Sequence, residues 1–447
     1  MKLSVIGLGK LGAPMAAVMA YKGHTVVGVD INPAFVRAIQ EGRAPVNEPQ
    51  VAGMIAANRE RLSATLDCAE AVHATDVTFI IVPTPSGADG RFSVECVLDA
   101  ARKIGGALKT KSGWHIVVLS STVMPGTVEG SVLPALEAAS GKRAGIDFGL
   151  CYNPEFIALG SVVWDMLNPD LILIGESDAR SGAKLEELYA GVCESRPRIR
   201  RMNYINAELT KLSVNTFVTT KISYANMLAQ VCETLPGADV DVVTAAIGCD
   251  ARIGTKYLKG ALGYGGPCFP RDNVAFSALA RANGVPALLA EATDAMNRRQ
   301  APRIAQMILA RLPEGGTAGL LGLSYKPQTD VIEESQGVAI AKKLLESGAR
   351  VAVYDPAAMA NAGRQLAGKI AFAASMHECV RQSDVLAITT PWAEFGTLKA
   401  EDLENGPELV IDCWRVLGAE AREAAPEYLT LGKGRAVRAV EPREVTV

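Results

Sequence analysis

Residues 2–12 read Lys2-Leu3-Ser4-Val5-Ile6-Gly7-Leu8-Gly9-Lys10-Leu11-Gly12, followed by an apolar run over 14–21 and a second over 24–29 that ends in Asp30. Lys2–Ile6 has the length and apolar content of a buried strand; 14–21 suits a helix and 24–29 a second strand. Strand, glycine turn, helix and strand make one βαβ unit. In such a unit Gly7 makes the tight turn, Gly9 admits a pyrophosphate and Gly12 lets helix pack on strand, with the helix N-terminus facing the phosphates. Leu11 belongs to the same cofactor-binding run. The glycine spacing alone is a weak signal, and its place between a strand and a helix, answered by an acid at the next strand's end, strengthens it.

Asp30 also selects the cofactor. A carboxylate accepts hydrogen bonds from the ribose hydroxyls of NAD and repels the additional phosphate of NADP. Ile31, Asn32 and Pro33 follow, with no arginine among them, so NAD is expected. Further apolar runs at 77–82 and 115–119 end in Pro83-Thr84-Pro85 and Ser120-Ser121-Thr122. Continuous apolar runs suit strands covered by helices on both faces. Ligands of open α/β sheets gather at the carboxyl ends of strands, where Gly7, Asp30, Thr84 and Thr122 all fall.

Working outward, residues 207–299 are largely helical, and strands then return at 319–323, Arg350–Tyr354 and 384–389. Asp384-Val385-Leu386-Ala387-Ile388-Thr389-Thr390-Pro391 echoes Asp76-Val77-Thr78-Phe79-Ile80-Ile81-Val82-Pro83. The expected fold is α/β: two Rossmann-like, doubly wound parallel-sheet domains joined by a central helical segment. The boundaries are 1–200 for NAD binding, 201–300 for the helical segment, and 310–447 for a second Rossmann-like domain without the glycine signature. Ligand binding is expected in a cleft between the sheets.

Composition narrows the function. With 447 residues, 49% hydrophobic and 21% charged, the chain can bury a substantial core. A net charge of −3 gives no drive toward nucleic acid or anionic membranes, and the basic run Arg196-Pro197-Arg198-Ile199-Arg200-Arg201 reads as a solvated connection. Nine cysteines without a CxxC pair and four scattered histidines point to reduced thiols and no metal. All of the cysteines but Cys268 are expected to be small packing residues. No apolar run reaches membrane-spanning length, and with a strand starting at once there is no signal peptide; a cytoplasmic protein is expected.

Gly263-Tyr264-Gly265-Gly266-Pro267-Cys268-Phe269-Pro270-Arg271-Asp272 delivers a thiol behind a glycine loop, where backbone can approach a ligand closely. A thiolate there can attack an electrophilic carbon, given nearby positive charge. Lys211 and Asn215, spaced i and i+4, share one helix face and together can stabilise an oxyanion. Each has a plainer reading: a packing cysteine for Cys268, a solvated lysine for Lys211, a turn residue for Asp272 and a helix N-terminal acid for Glu155.

The motifs together resemble the UDP-glucose/GDP-mannose dehydrogenase family from end to end. The matching runs are residues 7–12, Val82-Pro83-Thr84-Pro85, Ser121-Thr122-Val123 with Pro125-Gly126-Thr127, Asn153-Pro154-Glu155-Phe156, and Glu208-Leu209-Thr210-Lys211 with Asn215. Arg252-Ile253-Gly254, residues 265–272 and Gly322-Leu323-Ser324-Tyr325-Lys326 complete the set. The resemblance implies a four-electron oxidation of a nucleotide-sugar C6 alcohol to the acid with two NAD, through a thiohemiacetal and thioester on Cys268. It implies that Lys211 and Asn215 steady oxyanions, and that Thr122, Glu155 and Asp272 hold and activate water. Glu155, Phe156, Lys211, Asn215, Arg252, Tyr257, Lys259, Gly265 and Lys326 are the implied substrate contacts, with Arg252 reaching a neighbouring subunit of a homodimer or larger homo-oligomer. Arg415 is a weaker candidate, because Asp412-Cys413-Trp414-Arg415 departs from the family's Asp-Gly-Arg.

Other departures bear on substrate and hydrolysis. Leu159 stands where a second glutamate is usual, Leu171 where Asn-Pro-Asp is usually followed by arginine, and Glu333 where an arginine commonly helps hold NAD. Loss of an acid and a base together avoids an unpaired buried charge. UDP-glucose is the first choice of substrate, with GDP-mannose or another nucleotide-hexose as alternatives. A two-electron 3-hydroxyacid-type dehydrogenase would not need Cys268 or the second sheet, and a non-enzymatic sensor would need none of the catalytic set.

Overall fold

The computed structural model describes residues 1–368, 370–404 and 406–434; the end of the last expected domain, 435–447, lies outside them. The chain forms two compact units, Met1–Val214 and Asn215–Val447.

The first unit is built on eight strands: β1 Lys2–Ile6, β2 Thr25–Val29, β3 Leu62–Thr65, β4 Val77–Ile80, β5 Ile116–Leu119, β6 Gly149–Tyr152, β7 Leu171–Glu176 and β8 Arg198–Met202. Their order is β3-β2-β1-β4-β5-β6-β7-β8. All neighbours are parallel except β6 and β7. The chain reverses direction across the sheet between β1 and β4, the place where doubly wound sheets bind ligands. Central β4 and β5 are buried at every position, as strands covered by helices on both faces must be.

The basic run at 196–201 is a correction. It is not a solvated connection but contributes β8, the sheet's edge, with outward-facing charges that discourage further strand addition. Arg201 turns back to grip Glu176 through Nε at 2.8 Å and Nη2 at 3.2 Å.

The second unit holds six parallel strands in the order β11-β10-β9-β12-β13-β14: β9 Thr317–Leu321, β10 Arg350–Tyr354, β11 Ile370–Phe372, β12 Val385–Ile388, β13 Leu409–Asp412 and β14 Glu427–Thr430. The sequence echo has a physical basis. Asp76 accepts the Lys2 amide at 3.3 Å, and Asp384 accepts the Thr317 amide at 2.7 Å, each tying a central strand to the start of its neighbour. The glycine pair is also repeated. A Cβ on Gly12 would lie 1.8 Å from the Gly7 carbonyl oxygen, and one on Gly337 would lie 2.2 Å from that of Gly322. At the end of β10, Asp355 occupies the place that Asp30 holds after β2, but it is 1% exposed. Its oxygens accept from the amides of Leu323, Ser324, Ala357 and Ala358, the Ser324 hydroxyl and the Trp392 indole. Such a saturated, buried carboxylate is a structural hub rather than a ribose acceptor.

Helices precede this sheet. Tyr204–Thr234, of 31 residues, runs through the unit boundary, and Phe269–Ala282 and Leu288–Arg298 follow. Among the described residues no helix is long and apolar enough to cross a membrane, and no His/Cys/Asp/Glu group could hold a metal ion.

Candidate active site

The glycine loop and Asp30 lie at the carboxyl ends of β1 and β2. Gly7 has φ +98°, and a Cβ there would strike the Ile81 carbonyl oxygen at 2.2 Å. Gly9 differs: an added Cβ would meet nothing within 4 Å. Gly7 and Gly12 are thus required by the protein's own packing, and Gly9 opens outward, as a pyrophosphate cradle requires. The Asp30 carboxylate accepts the Leu8 amide at 2.6 Å and the Asn32 amide at 2.8 Å. A carboxylate has about four acceptor positions, so these bonds orient Asp30 and leave capacity for ribose hydroxyls. Leu11 immediately precedes the helix Gly12–Tyr21.

Thr84 and Thr122 come together beyond β4 and β5, where the Thr84 hydroxyl donates to the Thr122 carbonyl at 2.8 Å. Ser121 binds both the amide and the carbonyl of Val82, at 2.9 and 2.8 Å. The two turns are therefore zipped side by side. Glu155 and Phe156 follow β6 in an irregular segment, so Glu155 is not a helix N-terminal acid. Lys211 is 7% exposed; its ammonium donates to the Glu155 carbonyl at 2.6 Å and lies 4.6 Å from the Phe156 ring centroid. Burial pushes the Glu155 carboxyl up to about 7, against the opposing pull of the Lys211 charge and the Tyr189 hydroxyl.

One turn before Lys211, Glu208 is fully buried and accepts the amides of Gly126 at 2.7 Å and Val128 at 2.8 Å. It ties the helix carrying Lys211 to the loop that follows Thr122. Its presence in the Glu-Leu-Thr-Lys motif was legible, but its function was not, because its partners lie some eighty residues away.

In the second unit Asn215 donates to Asp272 at 2.6 Å, and Arg271 reaches the other oxygen of Asp272 at 3.1 Å. Asp272 is fully buried in the first turn of Phe269–Ala282. That geometry suits orientation of the Asn215 amide more than direct contact with water. Cys268 is exposed and sits at the N-cap of the same helix, beside the partial positive charge of the helix N-terminus. Packing is not its role. Cys96 and Cys249 are also exposed, and Cys68 and Cys193 half-buried, which corrects the expectation that every other cysteine packs in the core. Cys96 lies in the first turn of Glu95–Thr110, and Cys249 caps the end of Val240–Gly248, its thiol donating to the Ala245 carbonyl at 3.3 Å.

The glycine run before Cys268 is shaped by the loop between Gly322 and Gly337. Gly266 has φ +84° and donates its amide to the Glu333 carbonyl at 2.9 Å, and a Cβ on Gly265 would lie 2.3 Å from the Glu334 carbonyl oxygen. The Glu333 backbone thus supports the cysteine loop. Tyr257, with φ +66°, packs edge-on against Phe269 at 6.1 Å. Lys259 is exposed and Lys326 half-buried. Arg252 is exposed and bound locally to Asp250 at 2.6 Å. Arg415, in a left-handed backbone conformation, grips Asp241 at 2.6 and 2.8 Å and donates to the carbonyls of Gly260 and Leu431, each at 2.9 Å. These contacts make it a clip for the 257–265 loop.

Three family models match consecutive stretches: the UDP-glucose/GDP-mannose dehydrogenase NAD binding domain over 1–193, central domain over 205–299 and UDP binding domain over 319–419. The chain belongs to that family. It is therefore an NAD-dependent dehydrogenase of the nucleotide-sugar class, and the open cradle at Gly9 beside Asp30 fits that cofactor. Among its relatives, a UDP-glucose 6-dehydrogenase of Haloferax volcanii is 37% identical over 93% of this chain and 97% of its own. A GDP-mannose 6-dehydrogenase of Azotobacter vinelandii is 34% identical over 79% and 81%. A UDP-glucose dehydrogenase structure from Pyrobaculum islandicum aligns with a TM-score of 0.88 and 37% identity, covering 97% of this chain and 98% of that one.

Proposed function

We propose that the enzyme oxidises the C6 alcohol of a nucleotide-hexose to the carboxylate in two NAD-dependent steps, with UDP-glucose the substrate and Cys268 holding the sugar carbon between them. The observation that carries this reading is an exposed cysteine at a helix N-terminus, one helical turn from an aspartate locked onto Asn215. NAD, when bound, accepts a hydride in each step.

Glu155, with its raised pKa, takes the proton of the C6 hydroxyl as the first hydride leaves and releases it to solvent before hydrolysis. The Cys268 thiolate then adds to the aldehyde carbon, and the carbonyl oxygen becomes an oxyanion steadied by the Lys211 ammonium and the Asn215 amide. The second hydride leaves that carbon and the oxyanion closes to a thioester. Water, held by Thr122 and deprotonated by Glu155, attacks; the C–S bond breaks, the thiolate leaves and the carboxylate forms. With Leu159 in place of a second glutamate, Glu155 serves both proton transfers. Asp272 orients Asn215. Tyr257, Lys259, Gly265 and Lys326 bind the nucleotide-sugar, and Arg415 shapes their loop.

The enzyme works as a homodimer in the cytoplasm on this reading. Phe217, Tyr224 and Val231, spaced by sevens on the long helix, are 67%, 48% and 47% exposed, and a second copy is the most economical cover for such a face. Screening nucleotide-sugars by NADH absorbance tests the substrate. UDP-glucose should give the highest kcat/KM; preference for GDP-mannose would move the assignment within the family.

A further inference from the structure

Cys268 is suspended between two anchors, Tyr264 before it and Asn273 after it, and both end on one side chain. The Tyr264 hydroxyl donates to Asp294 Oδ1 at 3.2 Å, and the Asn273 amide donates to the same oxygen at 2.8 Å. Tyr264 is 5% exposed, Asn273 fully buried and Asp294 9% exposed. The helix that carries Asp294, Leu288–Arg298, makes three more such bonds. Asn297 accepts the Tyr264 amide at 2.8 Å and donates to its carbonyl at 3.0 Å, while Asn273 also donates to the Ala290 carbonyl at 2.8 Å. Asp294 Oδ2 faces Arg298 at 3.7 Å.

We propose that Asp294 is a positioning residue, which sets the thiol of Cys268 by fixing both ends of the segment that bears it. The glycines at 263, 265 and 266 give that segment little stiffness of its own, and Cys268 is its exposed tip. The Glu333 carbonyl holds the Gly266 amide within the segment, and a carboxylate joining the entry to the exit restrains the freedom that remains on either side. Asp294 acts only through the segment, so its loss should affect the steps in which sulfur bonds to carbon and spare NAD binding. The inference rests on Cys268 being the reacting thiol.

Because both donors meet a single oxygen, asparagine can replace that acceptor and leucine cannot. Asp294→Leu should slow the second hydride transfer, measured from the aldehyde in single turnover, by about 100-fold, the scale of an ångström's misplacement. It should also change the rate and pH profile of Cys268 alkylation by iodoacetamide, followed by mass spectrometry of its peptide, while NAD affinity stays at the wild-type value. Asp294→Asn should restore both readouts. Should Asp294→Leu fail to fold, Tyr264→Phe, which deletes one hydroxyl, must move both in the same direction by a smaller amount. The proposal is overturned if alkylation and the second hydride step are unchanged in the leucine variant or in Tyr264→Phe, or if asparagine rescues neither. An enzyme that never forms a thioester would instead reveal itself by full conversion to the acid in Cys268→Ser, and alkylation of the wild type and the Asp294 variants would still report the position of the thiol.

Discussion

Alanine at Gly9 and alanine at Gly12 should have opposite consequences, though both add one methyl group to the same loop. At Gly12 the new Cβ would sit 1.8 Å from a backbone oxygen, a clash that no rotamer relieves, so Gly12→Ala should lose the folded first unit. At Gly9 the Cβ meets nothing within 4 Å, and exchanging glycine for alanine at an unstrained position stabilises by about 0.4–1 kcal/mol through the unfolded chain. Tm should therefore hold or rise slightly. NAD affinity should fall, because the methyl occupies the space through which a pyrophosphate would approach. Overpacking of this kind costs about 1–3 kcal/mol, or about 5- to 150-fold in Kd at 1.4 kcal/mol per tenfold. Thermal unfolding and calorimetric titration with NAD measure the two effects on one sample. A Gly9→Ala enzyme that binds NAD as tightly as wild type would refute the assignment of the cradle.

Wild type should strongly prefer NAD over NADP, and Asp30→Ala should narrow that ratio in steady-state kinetics. The same change leaves the buried Leu8 amide without its acceptor, so it should also cost about 1–3 kcal/mol of stability by denaturant titration. The rate should rise with pH as Glu155 ionises near 7, and Glu155→Gln should remove that limb and lower kcat by about 10²–10⁴-fold. The stability effect has the opposite sign: a raised carboxyl pKa favours the folded state below its ordinary value of 4.5 and loses that contribution as pH rises through about 7, so Glu155→Gln should flatten the fall in Tm over that window. The proposed dimer predicts a wild-type mass of two chains in light scattering and a single-chain mass for Val231→Glu, and Arg252→Ala should raise KM for the nucleotide-sugar without changing NAD affinity.

What could be read from the sequence was what is local. Gly7, Gly12 and Asp30 act within one βαβ unit, so their spacing carried their meaning, and the Asp76 and Asp384 runs announced two related sheets because each aspartate performs the same strand-tying task. Lys211 and Asn215 were legible as helix neighbours. Distant side-chain-to-backbone bonds were not. Glu208 reaching Gly126, Arg415 reaching Gly260, and Asn297 clasping Tyr264 follow no periodicity, and each was found only through the fold. The edge strand at Arg198–Met202 was hidden because alternating charges on an edge look like a solvated loop. The burial of Asp272 was hidden too, since a first-turn aspartate is exposed in most helices.

Counting NADH formed per nucleotide-sugar consumed bears on Cys268 itself. Wild type should give two NADH and one carboxylate per sugar with no aldehyde released, and Cys268→Ser should yield no more than one NADH and no acid at the wild-type rate, because a serine hydroxyl adds to the aldehyde far less readily than a thiolate and an alkoxide is also a poorer leaving group. Two NADH and full conversion to the acid by Cys268→Ser would contradict the thioester route.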